Sequence, residues 1–217
     1  MRKIEIDRWN RKETYLFYKD IDVPMYMMTF QLDVTHFYQE IKKRQLSFYL
    51  SFMHLVMGEM NKIENYRYRF LDGEPYLVDR IHPSYTDQIE DSDQFKIVTV
   101  DYEDDLITFI HQAKEVSKKQ GKTFIDLTQE VRQDLVYITT FPWASFMQVS
   151  HAHRIDNKDA IPRVAWGKFE LINQKYIMPF AIESHHAFVD GRHVGMLIQN
   201  LQNAIHDWKW PQLRSFL

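Results

Sequence analysis

Residues 177–201 constrain the fold of this chain more than any other stretch, and they read IMPFAIESHHAFVDGRHVGMLIQNL. An apolar run ends in His185 and His186, and Asp190-Gly191 follows after three residues. Asp-Gly is a frequent turn dipeptide. Apolar residues then recur at the spacing of a helix with one buried face, at Val194, Leu197, Ile198, Leu201 and Ile205. The pattern predicts a strand, a tight turn and a helix, with an imidazole and a carboxylate at their junction that suit general base catalysis.

The composition excludes several classes of site and partner. The chain has 217 residues, no cysteine and a formal net charge of −3. Without cysteine there are no disulfides, thiol nucleophiles or thiolate metal sites. The weakly acidic balance and the lack of a basic run disfavour nucleic acid as a partner. The first residues lack the apolar core of a signal peptide and no apolar run reaches membrane-spanning length, so we expect a cytoplasmic protein that has no membrane partner.

Strand and helix patterns succeed one another without a linker or a repeat, which predicts one domain over residues 1–217. Helices are predicted over 11–18 (capped by Asn10), 35–44 (capped by Thr35), 48–63, 104–118 and the stretch after Gly191. Strands are predicted over 24–34, 96–100, 135–140, 145–153, 163–171 and 175–184, with a hairpin at Asp72-Gly73. Because many strands are adjacent in sequence, the pattern favours an α+β or mixed-sheet arrangement over an alternating nucleotide-binding fold.

Five motifs that occur in order along the chain carry a family resemblance. They are WNRKE at 9–13, HPSYT at 82–86, FPWASF at 141–146, MPFAI at 178–182 and HHAFVDG at 185–191. Together they resemble the chloramphenicol acetyltransferase family, over essentially the whole chain. The histidine motif by itself is also similar to the lipoyl acyltransferases of 2-oxo acid dehydrogenase complexes, whose lipoyl and subunit-binding regions have no counterpart in these residues. The N-terminal and Pro-Trp motifs favour the first family.

The resemblance implies a fold, a reaction and an assembly. The fold would be α/β, an α+β two-layer sandwich in which a mixed β-sheet packs with helices, as in CoA-dependent acyltransferases. The reaction would be O-acetylation, in which a small-molecule acceptor hydroxyl attacks the thioester of acetyl-CoA directly, with no metal and no covalent acyl-enzyme. The assembly would be a homotrimer whose active sites lie between subunits. His186 would come from one subunit and much of the acceptor pocket from its neighbour.

The resemblance also implies roles for individual residues. His186 would be the general base, and Thr139 stands where the family places a serine whose hydroxyl stabilises the tetrahedral oxyanion. Asp190 would pair with Arg11 and hold the loop that bears the histidine. Ala165 replaces a threonine that orders water near the reacting centre in the family. That change leaves the base in place.

On the CoA side, Tyr49 and Lys168 match the aromatic and basic rim of the family, and Phe169 stands where a tyrosine is usual. Ser47 stands where some members have a lysine that binds phosphate. The basic run at 42–44 is a candidate to replace that lysine.

The acceptor pocket combines matches with departures. The matching positions are Phe17, Tyr18, Thr86 and Phe95, which suit an aromatic, hydroxylated acceptor. The polar residues that replace apolar pocket positions are His151, His153, Arg163 and Asp22. Buried polar groups need partners. Either the pocket is wetter than in that family, or these side chains bind a more polar acceptor. The remaining alternatives are that the strand faces elsewhere or that the histidines pair with Asp22.

His151 and His153 are two residues apart on a predicted strand and would share a face, which also raises a metal site. No third ligand is evident, so we expect no metal. Three functions stay open from the sequence: acetylation of chloramphenicol, the same chemistry on a different and more polar hydroxyl acceptor, and a catalytically idle binding scaffold.

Overall fold

The computed structural model describes residues 1–152, 156 and 158–210. The helices within these residues are α1 (Lys12–Tyr18), α2 (Thr35–Lys43), α3 (Phe48–Lys62), α4 (Leu106–Gln120), α5 (Leu127–Glu130) and α6 (Gly191–His206). The strands are β1 (Arg2–Lys3), β2 (Met25–Asp33), β3 (Tyr68–Leu71), β4 (Glu74–Leu77), β5 (His82–Gln88), β6 (Phe95–Thr99), β7 (Leu135–Phe141), β8 (Arg163–Gly167), β9 (Glu170–Ile172) and β10 (Lys175–His185). No helix in this described part is long and apolar enough to cross a membrane.

A mixed sheet forms the centre of the fold, in the strand order β2-β10-β8-β7-β5-β6, with β9 paired to one end of β10. Strand β7 runs parallel to β5 and β8, whereas β2, β6 and β8 pair antiparallel with their other neighbours. A smaller sheet joins β1, β4 and β3 around the turn at Asp72-Gly73. The sheet and its helices confirm the predicted α+β fold class, and the predicted hairpin is confirmed as β3 and β4.

One face of the central sheet carries large apolar side chains, because successive strand residues point to opposite faces. These side chains share a core with helices α2, α3, α4 and α6, and the strand members include Leu32, Phe180, Ile182, Val164, Trp166, Val136 and Ile138. Burying each such side chain contributes about 1.5–3 kcal/mol. The helices therefore cover this face, and the site-bearing residues are left to the other one.

The opposite face of the sheet carries small and polar residues in rows that cross the strands. One row joins Thr29, Ala181, Ala165 and Thr139. The next row joins Met27, Glu183, Arg163 and Tyr137. Polar side chains at these positions are two residues apart along each strand, so both rows point away from the helices.

The central sheet opens between two parallel strands. Strands β5 and β7 pair over residues 82–85 and 135–138. Beyond this point residues 86–88 stay with β6, and residues 139–141 stay with β8. The two strands therefore diverge, and the gap leads from the helical side of the sheet toward the face that carries Thr139.

Arg69 joins the small sheet to the start of β7. Its guanidinium is buried and donates hydrogen bonds to the carbonyl oxygens of Gln133 at 2.6 Å, Leu135 at 2.7 Å and Tyr66 at 2.8 Å. Burial lowers the pKa of Arg69 to about 10, which still leaves it cationic at neutral pH. The strand that carries Thr139 is thus anchored at its first residue by a charged donor.

Three local predictions are wrong. Residues 145–152 form no strand, because no neighbouring strand supplies their backbone with a ladder of hydrogen bonds. The prediction that His151 and His153 share a face of a strand therefore has no structural basis at His151. His153 lies outside the described residues. Asn10 does not cap α1 either: the helix begins at Lys12, and Arg11 occupies the capping position without a side-chain cap. Likewise, Val34 rather than Thr35 occupies the capping position of α2.

Candidate active site

Strand β10 ends in the two histidines, and the turn that follows sends them in different directions. His185 is 1% exposed. Its Nδ1 accepts a hydrogen bond from the backbone N–H of Ala187 at 3.1 Å. The N–H groups of Phe188 and Val189 donate to the carbonyl of His185 at 3.1 and 3.0 Å, which closes the turn before α6. His185 is therefore a packed structural residue, and His186 is the histidine that reaches the surface.

Aromatic contacts hold the His186 ring on one side. The ring stacks on Tyr18 with centroids 4.0 Å apart and planes 4° from parallel, and Tyr26 lies 4.6 Å away. The backbone N–H of His186 donates to the carbonyl of Pro24 at 3.0 Å. Its side chain is 33% exposed. The ring thus has a fixed plane and one open edge.

The two ring nitrogens of His186 have different surroundings. Nδ1 is buried, without a hydrogen-bond partner in the described part of the chain, and lies 3.6 Å from Oδ1 of Asp190. A nearby carboxylate favours a proton on Nδ1, because an N–H dipole points its positive end toward the negative charge. With the proton on Nδ1, Nε2 carries the free lone pair. The exposed nitrogen of the ring can therefore accept a proton.

Arg11 clamps the loop after β10 to the N-terminal part of the chain. Its guanidinium donates to both carboxylate oxygens of Asp190, at 2.7 and 2.9 Å. It also donates to the carbonyl oxygens of Ala187 at 3.3 Å and His186 at 3.5 Å. Only 10% of the Arg11 side chain is exposed, so solvent screens this pair less than a surface salt bridge. Hydrogen bonds from Arg11 lower the pKa of Asp190, which keeps it ionised.

Sequence reasoning missed two residues that support this loop. His193 accepts a hydrogen bond from the backbone N–H of Asp190 on Nδ1, at 2.9 Å, and burial lowers the pKa of His193. Tyr26 donates its hydroxyl hydrogen to the carbonyl of Val189 at 3.2 Å. The signal for His193 was its place three residues after a helix-capping Asp190. Tyr26 offered no local signal, because its partner lies on a distant segment.

A second group of predicted residues lines a groove of about 720 Å³ at the gap between β5 and β7. The predicted residues in its lining are Thr139, Thr86, Phe95, Tyr49, Lys168 and Phe169. Sequence reasoning did not assign Phe141, Trp143 and Trp166 to a site, although the structure places them in the same lining. The groove is therefore mostly aromatic, with a hydroxyl at Thr139 and a cation at Lys168.

Hydrogen bonds fix the walls of the groove. The hydroxyl of Tyr49 donates to the carbonyl of Thr86 at 2.7 Å, and burial raises the pKa of Tyr49 well above its usual value, so it remains a donor. The backbone N–H of Lys168 donates to the carbonyl of Ala144 at 3.0 Å. This bond ties the lysine to the Pro-Trp segment. Phe169 packs against Tyr38, with ring centroids 4.8 Å apart.

The fold does not bring His186 and Thr139 together within one chain. Thr139, Ala165 and Ala181 share a row of the sheet, and His186 follows Ala181 by five residues along β10 and its turn. At about 3.3 Å per residue and about 4.8 Å between strands, the two side chains lie roughly 20 Å apart. Two groups that act on one reacting centre must approach it within about 3 Å. The two candidate groups of one chain therefore lie in two separate regions, which we call the His186 half-site and the Thr139 half-site.

The four matching acceptor positions divide between these half-sites. Phe17 and Tyr18 lie beside His186, and their rings meet edge to face with centroids 4.9 Å apart. Thr86 and Phe95 lie in the groove with Thr139. The candidate acceptor residues are thus divided between the same two regions as His186 and Thr139.

Two of the polar residues at replaced pocket positions, His151 and Arg163, have partners within the chain. His151 Nδ1 lies 3.2 Å from Oε2 of Glu183, and Arg163 donates to Asp159 at 2.5 Å. The partner of His151 is therefore Glu183 rather than Asp22, which is exposed. Arg163 and Glu183 are 5% and 4% exposed. Arg163 and Glu183 occupy the row next to Thr139, and both need such partners because a buried charge without one is strongly destabilising.

A metal cluster of three or more His, Asp or Glu side chains is absent from residues 1–152, 156 and 158–210. Within that part, His151 uses Nδ1 on Glu183, and its Nε2 is buried without a hydrogen-bond partner.

Comparisons with known proteins support the family resemblance that the motifs carry. The sequence model of the chloramphenicol acetyltransferase family matches residues 1–202. A chloramphenicol acetyltransferase of Escherichia coli is 30% identical over 207 residues, which cover 95% of this chain and 94% of the relative. One of Proteus mirabilis is 27% identical over 199 residues, 92% of each chain.

Solved structures share the fold. A chloramphenicol acetyltransferase superposes with a TM-score of 0.86 at 24% identity, over 94% of this chain and 100% of that chain. A truncated catalytic core of the 2-oxoacid dehydrogenase multienzyme complex from Thermoplasma acidophilum gives a TM-score of 0.68 at 12% identity, over 90% of this chain and 92% of that one. From the family match and the full-length relatives, we conclude that this chain belongs to the chloramphenicol acetyltransferase family.

Proposed function

We propose that this acetyltransferase moves the acetyl group of acetyl-CoA to the hydroxyl of a small-molecule acceptor, with His186 as the general base. The observation that carries the proposal is the asymmetry of the His186 ring. Its Nδ1 is buried 3.6 Å from Asp190, and its other nitrogen is open. An imidazole nitrogen with a free lone pair can take a proton and later return it, as a general base must.

The proposed reaction needs one proton transfer in each direction. Nε2 of His186 takes the proton of the acceptor hydroxyl, and the oxygen forms a bond to the thioester carbonyl carbon. The carbon–sulfur bond then breaks, and the proton on Nε2 passes to the departing thiolate. The products are an acetyl ester and CoA thiol, so no oxidant, metal or covalent enzyme intermediate is required.

Thr139 is proposed to stabilise the oxyanion that forms on the thioester carbonyl. Its side chain lines the groove on the face of the sheet away from the helices. A fixed donor aimed at developing negative charge is worth about 10²–10³-fold in rate. Ala165 is its neighbour across the strands, and an alanine there adds no competing hydrogen-bond donor.

The groove is proposed to hold the pantetheine arm of acetyl-CoA. Its volume of about 720 Å³ falls within the usual range for a small-molecule site. Tyr49, Phe169 and Trp166 offer apolar walls to the arm, and the exposed Lys168 offers a cation to the phosphates. The gap between β5 and β7 leads the thioester end toward Thr139.

The assembly is proposed to be a cyclic homotrimer in which each active site combines half-sites of two chains. The separation of roughly 20 Å between His186 and Thr139 within one chain supports this arrangement. A head-to-tail interface joins different surfaces of two copies and closes into a ring. His186 of one copy would then face Thr139 of the next.

A second candidate acceptor is a hydroxyl compound more polar than chloramphenicol. The buried Arg163 and Glu183 favour it, because they occupy the row of the sheet next to Thr139. Although Arg163 and Glu183 are paired within the chain, they give this row a polar rather than an apolar character, which suits a hydrogen-bonding acceptor better than an apolar one.

His186→Ala is expected to lower kcat for acetyl transfer by about 10³-fold, because a positioned general base contributes about 10²–10⁴-fold. Release of CoA thiol, with chloramphenicol as acceptor, measures the rate. His206→Ala is the matched control, since His206 is an exposed histidine at the end of α6. A His186→Ala rate within tenfold of the natural protein would contradict the role of this residue.

Mixed assemblies test whether two chains share a site. His186→Ala and Thr139→Ala chains should each be nearly inactive, whereas a co-assembled equal mixture should regain about a quarter of the natural activity, since about a quarter of head-to-tail contacts then join two intact half-sites. A mixture of His186→Ala with the doubly substituted chain is the control. If the first mixture is no more active than the two variants measured separately, the proposal that His186 and Thr139 of different chains share one active site is contradicted.

Asp190→Asn is expected to lower the free energy of unfolding by about 1–2 kcal/mol at pH 7 and to lower kcat, because the loop of His186 loses a partly buried ion pair. Arg11 lowers the pKa of Asp190 in the folded protein. The difference is therefore complete above about pH 5 and shrinks as the pH falls through the folded pKa. Urea unfolding at several pH values measures it, with Asp207→Asn as control; a difference that grows toward low pH would refute the pairing.

The acceptor candidates are separated by kcat/KM. A polar acceptor predicts that chloramphenicol has a kcat/KM at least about tenfold below the best member of a panel of hydroxylated sugars, amines and acids, which corresponds to about 1.4 kcal/mol of discrimination. Equal CoA affinity in all assays is the internal control. If chloramphenicol has the highest value in the panel, the drug itself fits the site and the second candidate fails.

A further inference from the structure

A second cavity of about 500 Å³ continues the groove on the side of α4. The two share Tyr49, Asp87 and Gln88 in their linings, so they form one connected surface. The lysines that line this second cavity are Lys96, Lys114, Lys118 and Lys122. Asp87 and the exposed Glu90 also line it, so the four lysines outnumber the two carboxylates. The acetyl-transfer chemistry described above makes no use of this cavity.

The ammonium group of the buried Lys96 already has partners within the chain. Its Nζ donates to the carbonyl oxygens of Ser117 at 2.6 Å and Gly121 at 2.8 Å, and lies 4.0 Å from Asp87. Lys96 thus satisfies the carbonyl end of α4 and offsets the charge of Asp87. The partial negative charge at the end of the helix is therefore masked within the cavity.

The other three lysines keep their positive charge available. Lys114, Lys118 and Lys122 are exposed, and no ion pair or hydrogen bond engages their Nζ atoms within the described residues. Lys114 and Lys118 are four residues apart on α4 and so lie on one helix face, where like charges repel. A multiply charged anion between them would relieve that repulsion.

The basic run at 42–44, which the sequence suggested as a replacement for the phosphate-binding lysine at the position of Ser47, makes contacts outside the cavity. Lys43 and Arg44 both pair with Glu40, at 2.6 and 2.7 Å, and Lys42 lies over the ring of Tyr38. Ser47, at the edge of the second cavity, caps α3 by accepting a hydrogen bond from the N–H of Leu50 at 3.3 Å. None of these side chains is therefore a free cation in the cavity.

We infer that Lys114, Lys118 and Lys122 bind the phosphates at the nucleotide end of acetyl-CoA. The inference rests on the proposed function, since it takes the groove as the path of the pantetheine arm. The nucleotide end carries a diphosphate and a 3′-phosphate, which match a cluster of free ammonium groups. The connected lining lets one ligand occupy both cavities.

Direct binding tests the inference without turnover. Titration calorimetry with the assembled protein compares CoA, 3′-dephospho-CoA and pantetheine. The variant Lys114→Ala/Lys118→Ala is expected to bind CoA about tenfold more weakly and pantetheine unchanged, because exposed charge pairs contribute modestly and additively. The loss should shrink at high salt, which screens exposed charges. The 3′-dephospho-CoA data assign the loss to the 3′-phosphate or to the diphosphate.

Lys119→Ala is the matched control, because Lys119 is an exposed lysine of the same helix turn that does not line the cavity. Unchanged CoA affinity in the double variant, an equal loss for pantetheine, or an equal loss in Lys119→Ala would overturn the inference. Acetyl transfer, measured separately, distinguishes it from the proposed function. If CoA binding depends on these lysines but no acceptor is acetylated, the proposed function is rejected and the lysine site stands. If acetyl transfer is normal and the double variant binds CoA with unchanged affinity, the lysine site is rejected and the proposed function stands.

Discussion

The contact between Arg11 and Asp190 organises the region around the candidate base. It joins a residue before α1 to the capping position of α6, and the same guanidinium holds the carbonyls of His186 and Ala187. The carboxylate that accepts these hydrogen bonds also faces the buried nitrogen of His186. One ion pair therefore sets the position of the loop and favours a particular protonation of the ring. A carboxylate placed there only for general acid–base chemistry would not need two bonds from an arginine.

The opening of the sheet has a comparable influence on the other half-site. Parallel strands β5 and β7 separate because each continues with a different partner, β6 or β8. Polar backbone groups exposed by such a separation need partners. Tyr49 supplies one of them to the carbonyl of Thr86, and the remaining space becomes a groove lined by aromatic side chains. The passage through the centre of the fold thus arises because β5 continues its hydrogen bonds with β6 while β7 continues with β8, and no long loop is needed to form it.

Sequence patterns predicted local features well and relations between distant strands poorly. The helix after His186 follows from a helical period, which is a property of consecutive residues. The predicted tight turn was misplaced: it lies over residues 186–188, and Asp190 and Gly191 instead cap and begin α6. The separation of His186 from Thr139 depends on the registers of β10, β8 and β7, which no local pattern encodes. The predicted strand failed over residues 145–152, because strand pairing needs a partner elsewhere in the chain that no local pattern encodes. Tyr26 was missed since its partner, Val189, is remote in sequence.

The two half-sites of one chain also have a genetic consequence. In the proposed trimer, each chain would lend its base to one neighbour and its oxyanion groove to the other. A chain damaged at His186 spoils a site whose groove belongs to an undamaged copy. A chain damaged at both half-sites spoils two sites of the ring at once. Damage at one half-site costs one site per damaged chain, whether or not the chains mix. An allele damaged at both half-sites would behave as partly dominant, since only about a quarter of the sites in an equal mixture would then join two intact halves.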